Sequence, residues 1–133
     1  MRKFRGQLFS GEWIYGYYAV LFLDGHDTDH IFNGEWNEVK HGTVGQFTGL
    51  KDKNGVEIYE GDIIGYPNEN VKSIVKFGEY KYNPDYETHE NGVGFYLSFI
   101  KEDRIEGLTI DNYNKIIGNI YENPELLGDK NDS

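Results

Sequence analysis

Two histidines and three aspartates lie within seven consecutive residues, Asp24–His30. Imidazole and carboxylate groups are ligands that zinc, manganese and iron accept, so His26, Asp29 and His30 are candidate metal ligands. Two histidines four residues apart share one side only on a helix, and Gly25 within a polar stretch disfavours a helix. The spacing does not fit a calcium-binding loop either. A solvated acidic loop that needs no metal or other cofactor is therefore the favoured interpretation.

The other polar residues are weaker candidates for a catalytic site. Glu60 and Asp62 could form a carboxylate pair for acid–base catalysis if they shared one side of a strand. Gly61 between them favours a turn, in which both carboxylates bond backbone amides. His41 and His89 have no serine or cysteine nearby in a nucleophile context. The sequence therefore predicts no catalytic residues and a protein that is not an enzyme.

The composition narrows the function classes further. Cysteine is absent, which excludes disulfides, thiol catalysis and Cys-ligated metals. The 23 acidic residues outnumber the 13 basic ones, for a net charge of −10, which disfavours general binding to nucleic-acid phosphates. Such a balance permits plain solubility, the simpler explanation, or an acidic surface that engages a basic protein. Because no signal peptide or long apolar run is present, we expect a cytoplasmic protein with no membrane partner.

The elements that position these residues are predicted to be strands. The chain is rich in aromatic residues, and tyrosine, phenylalanine, valine and isoleucine favour pleated, half-buried surfaces. Trp13–Leu23 is apolar or aromatic on both faces, which is typical of a strand covered on both sides. A buried helix is the alternative, but Gly16 and the aromatic content favour a strand bent at the glycine. Further strands are predicted at Val71–Phe77, Phe95–Ile100 and Ile116–Tyr121.

The segment Thr43–Tyr66 has the most closely specified backbone. Its first part alternates along a strand, and Asp52–Gly55 supplies a hairpin turn whose aspartate bonds its own backbone. Glu60–Asp62 turns or bulges the chain again. We therefore predict a compact β-meander of three short strands.

The segment Gly78–Gly94 is polar and carries several tyrosines, and we interpret it as a long loop or a protruding hairpin. Tyrosine is enriched at protein interfaces. The candidate protein-binding residues are therefore Tyr80, Tyr82 and Tyr86. Lys72 and Lys76 beside these tyrosines could instead form a stacking platform for single-stranded nucleic acid, but the acidic residues in the same region disfavour it.

About eight short strands with turns roughly every 8–12 residues predict a mainly β fold. We expect a small β-barrel, SH3-like or related, with extra strands or a hairpin. Asn123–Gly128 predicts a short helical turn with asparagine as its cap. Lys101–Asn114 is too irregular to assign. The expected organisation is one domain over residues 1–128, with an optional subdivision near residues 70–80, and a disordered tail over residues 129–133.

Several segments along the chain resemble the YopX family of phage and prophage proteins. They are Lys3–Gly6 with Gly11–Tyr18, Thr43–Ile64, and Ile117–Leu127. The resemblance implies a β-barrel domain carried by phages of bacteria, particularly Gram-positive ones, with no known activity and no catalytic residues to carry over. Gly78–Asn114 matches nothing in that pattern.

Together these observations predict a non-enzymatic accessory protein in the cytoplasm of a bacterial host. Its expected partner is a host or phage protein, and its aromatic strands also favour a homo-oligomer. Single-stranded nucleic-acid binding by the barrel face is the alternative function.

Overall fold

The computed structural model describes residues 3–66, 70–82, 90–108 and 115–128, which contain eleven strands and one short 3-10 helix. The strands are β1 (Phe4–Gln7), β2 (Trp13–Leu23), β3 (His26–Phe32), β4 (Trp36–Glu38), β5 (Gly45–Lys51), β6 (Glu57–Tyr59), β7 (Asp62–Gly65), β8 (Lys72–Tyr82), β9 (Glu90–Phe99), β10 (Ile105–Gly107) and β11 (Lys115–Asn119). The helix is η1 (Pro124–Leu127). The prediction of a mainly β chain is confirmed.

The described strands form two antiparallel sheets. The first has the order β4-β3-β2-β1-β5-β6, and the second has the order β10-β9-β8-β7-β11. Neither sheet closes on itself, because the outermost strands of each sheet are separate edges. The expected SH3-like barrel is therefore not found among the described residues, and that part of the prediction was wrong.

The chain divides into two compact units, residues 1–47 and residues 48–133, with the division inside β5. In the first unit, Ile31 and Val39 are almost fully buried. A Cβ atom at Gly6 would lie 2.9 Å from both methyl groups of Val39, so the glycine allows β1 to pack closely there. The single domain expected over residues 1–128 stays a prediction, as does its optional subdivision near residues 70–80.

The β2–β3 hairpin corrects two expectations. Trp13–Leu23 is a strand, as predicted, but its outer half is not covered on both sides, since Phe22 is 70% exposed. The predicted loop Asp24–His30 is wrong as well: only the turn at Asp24 precedes β3. A Cβ atom at Gly16 would meet the carbonyl oxygen of Phe32, so only glycine lets β3 approach β2 closely at this position.

The second unit has a core on one face of its five-stranded sheet. The core residues are Ile58, Ile64, Val75, Leu97 and Phe99, each at most 5% exposed. Val75 lies directly opposite Leu97 in the β8–β9 register, so both point to the same face. Burial of one such aliphatic side chain contributes about 1.5–3 kcal/mol to stability.

Thr43–Tyr66 forms three strands, as predicted, but they are not one meander. β5 and β6 belong to the first sheet, whereas β7 pairs with β8 and β11 in the second. Gly61 explains the change of sheet, because its φ of +95° is easy only for glycine. Its N–H then donates to the carbonyl of Val75 at 2.8 Å.

β8 and β9 pair over ten residues, from Ser73↔Phe99 to Tyr82↔Glu90, so the hairpin alternative for Gly78–Gly94 is confirmed. The predicted turn at Asn123–Gly128 is confirmed as η1. Asn123 stands at the N-cap position, as predicted, but its side chain makes no cap bond, since Asn123 Oδ1 accepts from the Asn119 N–H at 3.2 Å. The expected disordered tail over residues 129–133 lies outside the described residues.

Candidate functional site

The structure separates the three candidate metal ligands. His26 and His30 lie on one face of β3, about 13 Å apart at the usual rise per residue, and Asp29 lies on the other face. One ion needs ligands within about 2–2.6 Å, so these residues cannot share it. Among the described residues, no group of three or more His, Cys, Asp or Glu is placed to hold a metal.

Asp29 is instead the centre of a small hydrogen-bonded group. The hydroxyl of Tyr18 donates to Asp29 Oδ1 at 2.8 Å, and His41 Nδ1 lies 3.2 Å from Asp29 Oδ2. Burial raises the pKa of Tyr18 to about 12, and the hydrogen bond and negative charge of Asp29 act in the same direction. The Tyr18 hydroxyl therefore keeps its proton at neutral pH and acts as a donor, not as a base or nucleophile.

Two carboxylates of Thr43–Tyr66, which we call the central segment, accept hydrogen bonds from backbone N–H groups. Asp62, 2% exposed, accepts from the Tyr59 N–H at 2.7 Å, which confirms its predicted role as a turn acceptor. Asp52 accepts from the N–H groups of Asn54 and Val56, as its turn predicts, and also from that of Ile116 at 3.0 Å. No sequence signal points to this last bond, because it joins positions 64 residues apart.

Burial and hydrogen bonding shift the pKa of Asp52 in opposite directions. Burial alone would raise the pKa of Asp52, but the three backbone donors and the charge of Lys115 outweigh it and hold the pKa below its usual value. The charged carboxylate is thus a structural acceptor that joins a turn to β11.

The hairpin of β2 and β3 from Tyr17↔Phe32 to Leu23↔His26, which we call the N-terminal arm, leaves large apolar side chains exposed. The exposed fractions are 51% for Val20, 70% for Phe22 and 47% for Leu23. Directly opposed residues share a face, and these pairs include Val20↔Asp29 and Phe22↔Asp27. Aspartates therefore flank valine and phenylalanine on one face of this arm.

The β8–β9 hairpin beyond Val75 and Leu97, which we call the second arm, continues the apolar face of the core. Its next pair on that face is Phe77↔Phe95, with ring centroids 4.8 Å apart in an edge arrangement. Val93 follows, opposite Glu79. We call Phe77, Phe95 and Val93 the apolar strip; Phe77 is 50% exposed and Val93 is 79% exposed.

The opposite face of the second arm carries the one predicted protein-binding residue whose side chain is described. Tyr80 is half-buried, with its ring over Gly92 and its centroid 5.0 Å from that of Tyr96. Tyr82 lies in β8 opposite Glu90, and Tyr86 lies outside the described residues. Part of the Tyr80 ring therefore packs against residues of the hairpin itself.

Sequence reasoning missed the apolar strip. Phe77 and Phe95 fit strands that pack into a core, and only the pairing of β8 with β9 shows that these positions lie beyond it. The signal was the Val93-Gly94-Phe95 alternation, which places valine and phenylalanine on one face before the predicted strand begins.

A cleft of about 380 Å³ in the second unit combines lysine, glutamate and apolar side chains. Its lining residues are Asn70, Lys72, Ile100, Lys101, Glu125, Leu126 and Gly128. Because its lining carries both lysine and glutamate, the cleft favours neither an anionic nor a cationic ligand. None of the helices in the part of the chain that is described is long and apolar enough to cross a membrane.

Comparison with known proteins gives a family and a similar structure. The family model described as "YopX protein" matches residues 13–128. A solved structure, that of protein EF1440 from Enterococcus faecalis, is 24% identical, and the alignment covers 96% of this chain and 99% of that one with a TM-score of 0.40. No curated protein matches.

Proposed function

The chain belongs to the YopX family, and on that premise we propose that it is a non-enzymatic accessory protein that binds another protein through its second arm. The observation that supports this proposal is the apolar strip. Solvent-exposed apolar patches that continue beyond a core are typical of interaction surfaces in soluble proteins.

The strip has the features of an interface centre. Phe77 and Phe95 form an aromatic pair, and aromatic side chains are enriched at the buried centre of protein interfaces. Glu79 lies opposite Val93 and gives the strip a polar margin. Of the tyrosines that the sequence singled out, Tyr80 and Tyr82 lie on the opposite face of β8, and Tyr86 lies outside the described residues. We propose that the partner meets the apolar strip first and that these tyrosines add to the contact where it extends around the hairpin.

A host or phage protein fits this strip better than a second copy. The chain carries a net charge of −10, so the net electrostatic interaction between two copies opposes their association. A homo-oligomer remains the alternative, and light scattering distinguishes it: a concentration-independent monomer favours a different protein as partner. We place the protein in the cytoplasm of a bacterial host.

The proposal that the protein is not an enzyme rests on the use of its polar groups. Asp52 and Asp62 are occupied by backbone N–H groups, and Asp29 is held by Tyr18 and His41. A raised pKa at Tyr18 removes phenolate chemistry at neutral pH. These groups stabilise the fold and do not converge on a substrate.

Affinity capture with matched variants tests the proposal. The full chain, the double variant Phe77→Ser/Val93→Ser and the control Val56→Ser are immobilised and exposed to a bacterial host lysate. Val56 is 51% exposed in a turn outside the arm, so the control changes equivalent surface. We expect one protein to be retained by the wild type and the control and reduced about tenfold or more by the double variant. A capture profile that is identical for all three chains would contradict the proposal.

Binding of single-stranded nucleic acid is the second candidate, and one observation favours it. Lys72, Lys76 and Tyr80 alternate on one face of β8, and Tyr96 lies opposite Lys76 on β9. Basic and stacking side chains thus share a surface, as single-strand binding requires. Fluorescence anisotropy with labelled oligothymidine at low salt decides between the two functions. Binding that Tyr80→Ala weakens would favour nucleic acid; no signal at low salt favours the protein partner.

A further inference from the structure

The N-terminal arm lies in a stretch of the chain with only one sign of formal charge. Between Arg5 and Lys40 there is no lysine or arginine, and six acidic residues fall in that interval. They are Glu12, Asp24, Asp27, Asp29, Glu35 and Glu38. Because the interval includes β2, β3 and β4, the potential around the arm is negative at neutral pH.

Apolar and acidic side chains share one face of this arm. Tyr18, Val20 and Phe22 alternate along β2, and Asp27 and Asp29 lie opposite Phe22 and Val20 on β3. We call these residues the acidic–apolar face. Val20 and Phe22 are at least half exposed, and Asp27 is exposed beside them.

The outer part of the arm is a ribbon of two strands. β1 pairs with β2 only over Trp13–Gly16, and β4 pairs with β3 only over His30–Phe32. A ribbon of two strands is marginally stable when its faces are open to water. Its apolar side chains therefore gain stability if another chain covers them.

We propose that the acidic–apolar face binds an extended protein segment that carries lysine or arginine between apolar side chains. The apolar side chains of such a segment would cover Val20 and Phe22, and its cations would approach Asp27. Asp29 contributes less to that attraction because Tyr18 and His41 already bond its two oxygens. This surface belongs to β2 and β3, whereas the apolar strip belongs to β8 and β9, and its own charge defines the partner chemistry.

The negative potential argues against other occupants. Nucleic acid and anionic membranes would be repelled by the aspartates. A second copy would bring the same acids to the contact, so like charges would oppose each other. A cationic protein segment is the occupant that both the charge and the apolar side chains favour.

A model peptide tests this proposal directly. The probe is a labelled peptide of about nine residues that alternates lysine and valine, and the control probe replaces every lysine by glutamate. Fluorescence anisotropy measures binding to the full chain. We expect the lysine peptide to bind and the glutamate peptide not to bind, with affinity falling as NaCl rises from about 50 to 500 mM.

Substitutions test whether the lysine peptide binds at the acidic–apolar face. We expect Phe22→Ser to raise the Kd about tenfold and Asp27→Asn about three- to fivefold. Phe9→Ser and Glu12→Gln change an exposed aromatic and an exposed acid outside the arm and should leave the Kd unchanged. Circular dichroism of each variant confirms that the fold is kept.

Three results would overturn the proposal. They are equal binding of both peptides, loss of binding in the Phe9→Ser and Glu12→Gln controls, and no effect of Phe22→Ser in a folded chain. Self-association that Phe22→Ser abolishes would assign the face to a second copy instead. The variant Phe77→Ser/Val93→Ser should bind the lysine peptide as the wild type does, so a failure of the second-arm proposal is distinguishable from a failure of this one.

Discussion

Asp52 and Asp62 of the central segment and Asp27 of the N-terminal arm are the same residue type in opposite settings. Asp52 and Asp62 are 7% and 2% exposed, and backbone N–H groups bond their carboxylates. Asp27 is exposed and lies opposite the exposed ring of Phe22. The central acids stabilise turns, whereas Asp27 is the acid that we propose meets a partner. Burial and hydrogen bonding, and not residue type, thus decide which acids are structural.

The second arm shows the same contrast among apolar residues. Val75 and Leu97 lie in the core, and Phe77 and Val93 continue that face into solvent. This contrast between buried and exposed residues makes a prediction. Substitutions in the core and at the Asp52 turn lower stability, and substitutions on the arms change binding only.

The largest loss of stability is expected at Asp52. Asp52→Ala leaves three N–H groups without their acceptor, including that of Ile116, and should lower the free energy of unfolding by about 3–5 kcal/mol. Urea denaturation measures it. Lys53→Ala in the same turn, an exposed position, is the control and should change stability by less than about 0.5 kcal/mol. A loss below about 1 kcal/mol for Asp52→Ala would show that the carboxylate is not a structural acceptor.

The next largest difference is expected between two positions on one face of the β8–β9 hairpin, one in the core and one in the second arm. Leu97→Ala removes a buried side chain and should lower the free energy of unfolding by about 2–5 kcal/mol. Phe77→Ser at a half-exposed position should lower it by less than about 1 kcal/mol. Thermal and urea unfolding measure both. Comparable losses at the two positions would mean that Phe77 belongs to the core and is not available for binding.

The lowered pKa of Asp52 predicts that the stability of the fold depends on pH in the acidic range. A carboxylate whose pKa is lower in the folded state contributes stability above its unfolded value of 3.8, and this contribution is lost as the pH falls through the folded value. The stability difference between the wild type and Asp52→Asn should therefore be constant above about pH 5 and shrink at lower pH. Urea denaturation across this range checks it. A difference that stays constant at pH 3 and below would contradict the lowered pKa.

The smallest effect is expected at Tyr18, in the alkaline range. Because its pKa is raised from 10.0 to about 12, the hydroxyl contributes stability that is present below pH 10 and lost as the pH rises towards 12. Absorbance titration at a tyrosinate wavelength should show that Tyr18→Phe removes one tyrosine that ionises near pH 12. Ionisation of all tyrosines near pH 10 in the wild type would mean that the bond to Asp29 is not formed in solution.

Local chemistry made the strands and turns predictable. Asp52–Gly55 and the alternating β residues after it predict a hairpin because the side chain and the glycine act within a few residues. These features depend on neighbours in sequence, so one sequence suffices to find them.

Features that depend on distant partners were not predictable. The transfer of β7 to the second sheet depends on pairing with β8 and β11, and the exposure of Phe77 depends on where the neighbouring strands end. The histidines of β3 looked like ligands because spacing alone does not show that a strand holds them about 13 Å apart. The sequence therefore indicated the hairpin that we propose for binding but not which of its faces is apolar.

Site-specific photo-crosslinking tests the central claim, that the apolar strip of the second arm contacts another protein. Benzoylphenylalanine is placed at position 77 or, as a control, at position 56, and the chain is irradiated in the bacterial host. We predict one defined adduct, heavier than the chain, at position 77 and no such adduct at position 56. The same pattern of adducts at both positions, or none at either, would contradict the claim.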